Sequence, residues 1–583
     1  MSDLPKGGSY LLGVTNHKDI FTPEDFDDEH RMVANSLVSF LDENVFPVMD
    51  DIDAKKDGLM RALLVEAGKY GFLGSDIPEK YDGTETDEIC STIIAEKLGA
   101  TGSFAIAHGG HTGIGNLPIV YFGNEQQKAA YLPSIVTAEK VSAYALTEPG
   151  SGSDALSAKT KAVLNAEGTH YLLNGSKTFI SNAGMADIFI VYAKIDGDKF
   201  SAFIVDGHAE GLTTGAEENK MGLKGSSTRS VFFDNVLVPA ENLLFEPGKG
   251  HVVAFNILNI GRHKVAANAV GAAKYALDQA AAYANERKQF KVPISEFGLI
   301  KEKLAEMAIR IYAAESAVYR TAGLLNNMMH SLDRSGDDGG QITAKGIEEY
   351  AVECSLEKVF ASEVEAFVVD EGVQIHGGYG FIAEYPIERL YRDARIRRIF
   401  EGTNEINRNL IPTTLLRRAQ KEAIPLLESV NSLLNKASDE VPIRQNPNEI
   451  VQAAKDVFLF SLGIAHERYG TDLMKQQEIL GRLADIAIYA YVMESCWLRT
   501  KKTDDANGQN VQLKKNMATA FIYTSIEKLC LAAREITTNI ASGRALVQMQ
   551  SNLDKLTQYT PIDIITIRSK IAGSISAAGK YVA

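Results

Sequence analysis

The spacing of apolar residues changes twice along this chain, and those changes limit what it can fold into. From about residue 22 to 135, apolar side chains recur every three or four positions, as with Val33, Leu37, Phe40 and Leu41. That is the period of a helix with one buried face. Near Tyr144 the period drops to two. Segments 161–164, 171–174, 187–194 and 200–205 read as strands. Between them lie Ala166-Glu167-Gly168, Asn174-Gly175 and Asp196-Gly197-Asp198, residues that tight hairpin turns require. After Glu246-Pro247-Gly248 long helical patterns return at 252–287, 299–329 and 342–374, the last two joined by a polar loop at 335–340. A fourth helix after Thr403 would complete a four-helix bundle.

A chain of 583 residues is too long for one core. The pattern predicts a mainly α protein with a central β domain, an antiparallel barrel or sandwich. Four domains are expected: an N-terminal helical domain (1–143), the β domain (144–245), the helix bundle (246–412) and an additional C-terminal helical domain (413–583). A weak linker at 438–448 lies inside the last of these. Its apolar stripes at 477–500 and 511–531 read as packing or oligomerisation surfaces, with membrane contact as the minor alternative. Residues 1–20 read as an extended arm. FTPEDF then reads as a helix start, with Thr22 as cap, Pro23 at the first position and Glu24 and Asp25 in the first turn.

The net charge of −15 argues against nucleic acid or an anionic membrane as the main partner. Cys90, Cys354, Cys496 and Cys530 have no paired spacing, which predicts a reducing cytoplasm and no metal site. The opening residues match no secretory or transit signal, and no apolar run is long enough to span a bilayer. No G-x-G-x-x-G follows a strand, so a Rossmann site is not expected.

Several stretches combine residue types that chemistry needs. RIRRIFEGTNEINR (395–408) leads through three arginines and Phe400 to Glu401, Gly402 and Thr403, with a fourth arginine at 408. A carboxylate beside a glycine turn can project into a cleft, where burial makes a carboxylate a usable base. Alternatively, Thr403 merely caps a helix whose first turn favours Glu405, and Glu401 pairs with an arginine. The arginines would meet a local anion, pair with Asp393 and Glu388, or hold the bundle together. YALTEPGSGSD (144–154) offers the Thr147 hydroxyl and closely spaced backbone N–H groups for oxygen atoms, or is a plain Pro-Gly turn. In KTFISNAG (177–184), strand alternation puts Phe179 and Ser181 on one face, an aromatic and a hydroxyl suited to a flat ring system. Arg262 and Arg287 lie near the two ends of one helix. Gln374–Gly380 holds three glycines, which let a backbone approach a ligand closely; its His376 reads as structural.

Taken in order, TEPGSGSD, KTFISNA, GR, ERKQF, QIHGGYGF with EYPIERLYRDARI, and FEGTNEI resemble the acyl-CoA dehydrogenase family over residues 22–412. EFGLIKEKLA (296–305) and QQEILGRLADIAIYAY (476–491) look like its very-long-chain subgroup, which carries an extra C-terminal helical domain. The resemblance implies FAD as cofactor and α,β-dehydrogenation of fatty acyl-CoA to trans-2-enoyl-CoA, the first step of β-oxidation, on medium to long chains. It implies Glu401 as the catalytic base. For FAD it implies Tyr144, Leu146, Thr147, Ser153, Phe179, Ser181, Arg287, Gln289, Phe290, Gln374, Gly377, Gly378, Thr403 and Glu405. For acyl-CoA it implies Ser153, Asn259, Arg262, Phe400 and Gly402. Where the family often has tryptophan and threonine beside the flavin, this chain has Phe179 and Ser181. Some members place the base beside the residue matching Arg262; here Gly261 stands there. Gly110 aligns with a medium-chain glutamate at the acyl pocket floor, which would deepen the pocket. An electron-transferring flavoprotein is the implied electron acceptor, and a homodimer the implied assembly. An acyl-CoA oxidase and a non-enzymatic scaffold keeping the fold are the alternatives.

Overall fold

The structure is a computed structural model that describes residues 4–334, 336, 339–436 and 442–583. Its described residues form two compact units: those of Asp27–Ala272 with Leu325–Glu348, and those of 4–26 with Ala273–Leu324 and Glu349–Ala583.

The first unit begins with helices Asp28–Phe40, Leu59–Lys69, Glu88–Leu98 and Glu125–Val136. Their apolar faces bury Leu37, Phe40, Leu64, Phe72 and Phe104 in one core. The chain then enters a sheet of eight strands: β1 (Ser142–Ala145), β2 (Lys161–Leu164), β3 (His170–Ser181), β4 (Ile188–Ile195), β5 (Lys199–Asp206), β6 (Leu212–Glu217), β7 (Thr228–Pro239) and β8 (Leu243–Leu244). The order is β6-β7-β3-β2-β4-β5-β8, with β1 also on β4. The expected antiparallel sheet is therefore corrected to a mixed one, because β1 and β2 both run parallel to β4. β4 reads IFIVYAKI and is buried along nearly its whole length, as strands covered on both faces are. β6 and β7 escape the period-two reading because no position of β6 is buried and β7 carries apolar residues, Phe232 and Leu237, on its exposed side as well. Phe189, Val191, Phe203, Val231 and Val236 anchor the sheet core, each large apolar side chain contributing about 1.5–3 kcal/mol.

The described residues of the second unit are helical apart from one short hairpin, β9 (Lys288–Gln289) with β10 (Val292–Pro293), and an isolated bridge between Arg444 and Tyr559. Long helices are Ala351–His376, Asn404–Gln420, Pro447–Tyr469, Gln477–Asp505 and Val511–Ile540. The helix expected over 342–374 is two helices, Gly339–Glu349 and Ala351–His376. Tyr350, between them, leaves helical geometry and donates its hydroxyl to the Pro5 carbonyl at 2.9 Å. The predicted loop at 335–340 and linker at 438–448 lie partly outside the described residues. No described helix is long and apolar enough to cross a membrane.

Two expectations for the N-terminus need correction. The helix expected at Thr22 is a single 3-10 turn, Pro23–Asp25, with a capping box of its own. Asp27 builds a second box with His30 and starts the true helix at Asp28. Nor is the arm loosely attached. Tyr10, Leu11 and Ile20 are buried. The Gly8 N–H donates to Glu353 at 2.7 Å, the Tyr10 hydroxyl to the Ala487 carbonyl at 3.1 Å, and Lys455 to the Gly13 carbonyl at 2.6 Å. The Arg499 guanidinium, itself fully buried, grips Glu24 at 2.8 Å and Glu315 at 2.7 Å. Two glycines and a few apolar residues order this segment because the partners for its backbone lie far along the chain.

Candidate active site

In the first unit the loop after β1 is sewn to β3 from below. Tyr144, in β1, packs edge-on against Tyr192 at 5.2 Å. The Thr178 N–H donates to the Thr147 carbonyl at 2.9 Å. Lys177 donates to the Leu146 carbonyl at 3.1 Å and to Glu148 at 2.7 Å. Glu148 also accepts from the N–H groups of Lys159 and Thr160 at 2.6 and 3.0 Å. Lys177 is 0% exposed, and burial pushes its ammonium down to about 8 against the pull of Glu148. Burial works to raise Glu148, but the Lys159 N–H and Lys177 outweigh it and hold the carboxyl low. Leu146 and Thr147 are thereby fixed, while Gly150, Gly152 and Ser153 beyond them face open space or solvent.

The same buried lysine precedes a break in β3. The pairing of β3 with β7 shifts between Lys177 and Ile180, and Phe179 sits at φ +57°. Bulges of this kind re-aim a side chain beside functional sites. Phe179 is 64% exposed, whereas Ile180 is buried. Strict alternation therefore fails at Lys177 and Thr178, both buried, and resumes with Ser181 half-buried. On the helix that starts at Gly250, Arg262 donates to Asn259 at 2.8 Å, and both side chains are buried.

In the second unit, Arg287, Gln289, Gly377 and Gly378 share a cavity of about 600 Å³ with Tyr283, His376 and Tyr379. His376 ends its helix, bonds the Gly372 carbonyl at 2.8 Å and stacks on Tyr283 at 4.2 Å. Burial lowers its pKa, which fits the structural role. The Arg287 guanidinium lies 5.5 Å from the centre of the Tyr379 ring. Gly377 takes φ +61°, and a Cβ on Gly377 or Gly378 would meet open space. Gln374 and Phe290 are exposed and do not line this cavity. Phe290 is at the hairpin tip, where it and Lys291 have φ +51° and +73°.

The stretch around Glu401 forms a left-handed turn. Glu401 has φ +55° and Gly402 φ +80°. Thr403 caps the following helix by accepting from the Ile406 N–H at 3.2 Å. Backbone N–H donation and the Thr403 hydroxyl lower the Glu405 carboxyl. The Gly402 carbonyl accepts from Lys358 and from Asn407, each at 2.8 Å. The arginines around Glu401 join helices, one of the roles expected for them. Arg397 is buried against Glu365, and it is Arg392 that holds Glu388. Arg408 bridges Glu363 and Asp485, both at 2.7 Å.

Sequence reasoning missed Glu148, Lys177, Tyr283, Lys358 and Asn407. A signal existed for Lys177, which continues the inward phase of Tyr171 and Leu173. His30, Asp87 and Cys90 also converge, their potential ligand atoms within 4.8 Å of one another. Helix capping accounts for that convergence: Asp87 accepts the Cys90 N–H at 2.8 Å and meets His30 at 3.1 Å.

Residues 27–139, 143–236 and 248–416 match the N-terminal, middle and C-terminal domains of acyl-CoA dehydrogenases, and 453–555 match a further C-terminal domain described for them. The chain belongs to the acyl-CoA dehydrogenase family. It is 49% identical over 587 residues to a probable acyl-CoA dehydrogenase of Bacillus subtilis, covering 100% of this chain and 99% of that one. A Bacillus anthracis acyl-CoA dehydrogenase complexed with FAD is 50% identical and superposes with a TM-score of 0.97, covering 99% of this chain and 100% of that one. The rat mitochondrial very long-chain specific acyl-CoA dehydrogenase is 33% identical over 553 residues, 88% of this chain and 81% of that protein. Acyl-CoA dehydrogenases are FAD-dependent flavoprotein oxidoreductases. The expected kinship with the very-long-chain subgroup and its extra C-terminal domain holds.

Proposed function

We propose that this chain is an FAD enzyme that converts fatty acyl-CoA to trans-2-enoyl-CoA, with Glu401 as the base. The observation that carries this reading is the left-handed turn at Glu401-Gly402, fixed by two side-chain donors and followed at once by a capped helix. A bulky residue held at positive φ is a conformation that persists where a site needs it.

The residues present fit FAD. The Gly377-Gly378 backbone leaves room where side chains would stand, beside the Arg287 cation, a setting suited to a charged dinucleotide. The exposed Phe179 ring on its bulge offers a flat apolar face. Arg287, Gln289, Phe290, Gln374, Gly377, Gly378, Thr403 and Glu405 would hold the cofactor, as would Tyr144, Leu146, Thr147, Ser153, Phe179 and Ser181. Bound FAD supplies the acceptor for the hydride that leaves the β carbon. Asn259, Arg262, Ser153, Phe400 and Gly402 would hold acyl-CoA. The Glu401 N–H donates to the thioester carbonyl and so stabilises the charge that develops there. The Glu401 carboxylate takes the α proton.

Medium to long chains and a place in fatty-acid β-oxidation are the substrate reading, supported by the match to the extra C-terminal domain. An electron-transferring flavoprotein as electron acceptor, a homodimer and a cytoplasmic setting complete it; all four cysteines are free.

Turnover of a saturated acyl-CoA series from four to eighteen carbons (roughly the span over which apolar contact per CH₂ accumulates) tests this. An artificial one-electron acceptor should be reduced, with little peroxide released in air. Glu401→Gln should keep its flavin absorbance and lose turnover. A fully active Glu401→Gln enzyme refutes the base, and peroxide equal to turnover makes the enzyme an oxidase.

A further inference from the structure

The Glu401 turn is held in an unusual way. Left-handed backbone costs a non-glycine residue about 1–2 kcal/mol, and Glu401 adopts it at φ +55° directly before Gly402 at +80°. Local sequence supplies one part of the restraint, through Asn407 five residues on. The other part comes from far along the chain, from the Ala351–His376 helix, where Lys358 is 0% exposed. Its ammonium donates to the Gly402 carbonyl at 2.8 Å and to Asn404 Oδ1 at 2.9 Å. Asn407, also 0% exposed, donates to the same carbonyl at 2.8 Å and to the Thr403 carbonyl at 3.1 Å. Asn404 is in turn fixed by Ser362 and Glu363, both at 3.1 Å. A fully buried ammonium is expensive unless its donors are used, and two of its contacts go to the turn that carries the base. A carbonyl held by two donors fixes the plane of the Gly402–Thr403 peptide, one residue away from Glu401.

We infer that Lys358 is a positioning residue for Glu401: together with Asn407 it clamps the Gly402 carbonyl and so keeps the base and its N–H in the left-handed turn. The inference rests on the reading of Glu401 as the base. Lys358 acts through the Gly402 carbonyl and Asn404. Its effect falls on the geometry of proton removal, where a misplacement of about 1 Å costs roughly 100-fold.

The test uses FAD-loaded enzyme and the best acyl-CoA of the chain-length series. Lys358→Met should keep flavin absorbance and KM close to the parent. Its kcat should fall about 10- to 100-fold, and the kinetic isotope effect on kcat with α-deuterated substrate should grow, because C–H cleavage becomes slower relative to other steps. A structural role alone would reduce the fraction of active holoenzyme and leave the isotope effect unchanged. An unchanged isotope effect, or kcat at the parent value, overturns the inference. If Lys358→Met does not hold FAD, Asn407→Leu decides in the same way: lowered kcat with a larger isotope effect upholds the clamp, and parental kinetics overturn it. Glu401→Gln, run in parallel, separates the two readings. An active Glu401→Gln enzyme overturns the base, whereas an inert one beside an unimpaired Lys358→Met overturns the clamp alone.

Discussion

Glu353→Gln should make the protein more stable at pH 8, although it removes a buried acceptor's charge. Glu353 is 2% exposed. Its Oε1 accepts the Gly8 N–H at 2.7 Å, and Oε2 has no hydrogen-bond partner among the described residues. Burial raises its pKa from the ordinary 4.5 to about 7, against the smaller pull of the Gly8 N–H, Arg418 and Arg320. A carboxyl with a raised pKa binds its proton more tightly in the folded chain than in the unfolded one. Its contribution to stability is therefore complete below pH 4.5 and is lost as pH rises through about 7. The interval from 4.5 to about 7, at about 1.4 kcal/mol for each pH unit, comes to about 3 kcal/mol. Glutamine is the neutral shape of the protonated acid and keeps an acceptor for the Gly8 N–H. Urea midpoints of parent and variant at pH 4.5, 6 and 8 supply the comparison, since every other titrating group cancels in the difference. The two should coincide at the lowest pH, and the variant should lead by about 3 kcal/mol at pH 8. A variant less stable than the parent at pH 8, or a difference that ignores pH, refutes the reasoning.

Lys177→Met should cost about 3–5 kcal/mol, because it leaves Glu148 charged, buried and short of its cation; differential urea unfolding reads the loss, and gel filtration should show flavin lost along with it. Lys291→Gly should stabilise the hairpin by about 1 kcal/mol, because it removes the left-handed penalty at φ +73°; amide exchange over 288–293 measures it.

How much of this was legible depended on where each residue's partners lie. β2 is read with its observed bounds because Gly168 closes the hairpin that follows it within a few residues, whereas Asn174-Gly175, expected to be a turn, lies inside β3 and pairs along the sheet. The Thr403 cap is legible for the same reason, its partner being three residues on. The parallel pairings of β1 and β2 with β4 were not, since parallel neighbours are joined by long connections without a turn signature. The site divides likewise. The glycines, Glu401 and the aromatic Phe179 stand in short motifs. Lys177 and Lys358 act through backbone carbonyls 31 and 44 residues away, and a lysine on a strand or helix ordinarily reads as solvated. The arginines before Glu401 were ambiguous on their own stretch, because Glu365, which holds Arg397, lies a helix away.

The N-terminal arm has a consequence for how the chain is made. Its bonds join residues 345, 442, 477 and 490 positions apart, through Gly8, Gly13, Tyr10 and Glu24. Contacts of such separation form late, after a large loop has closed. The arm leaves the ribosome before its partners: Lys455, Ala487 and Lys514 are synthesised hundreds of residues later. At about 5–20 residues per second the arm waits tens of seconds with its apolar Tyr10, Leu11 and Ile20 unburied. A segment translated well before its partners is thus among the last to be placed, and a chain cut short anywhere before Lys514 cannot complete the seat that holds it.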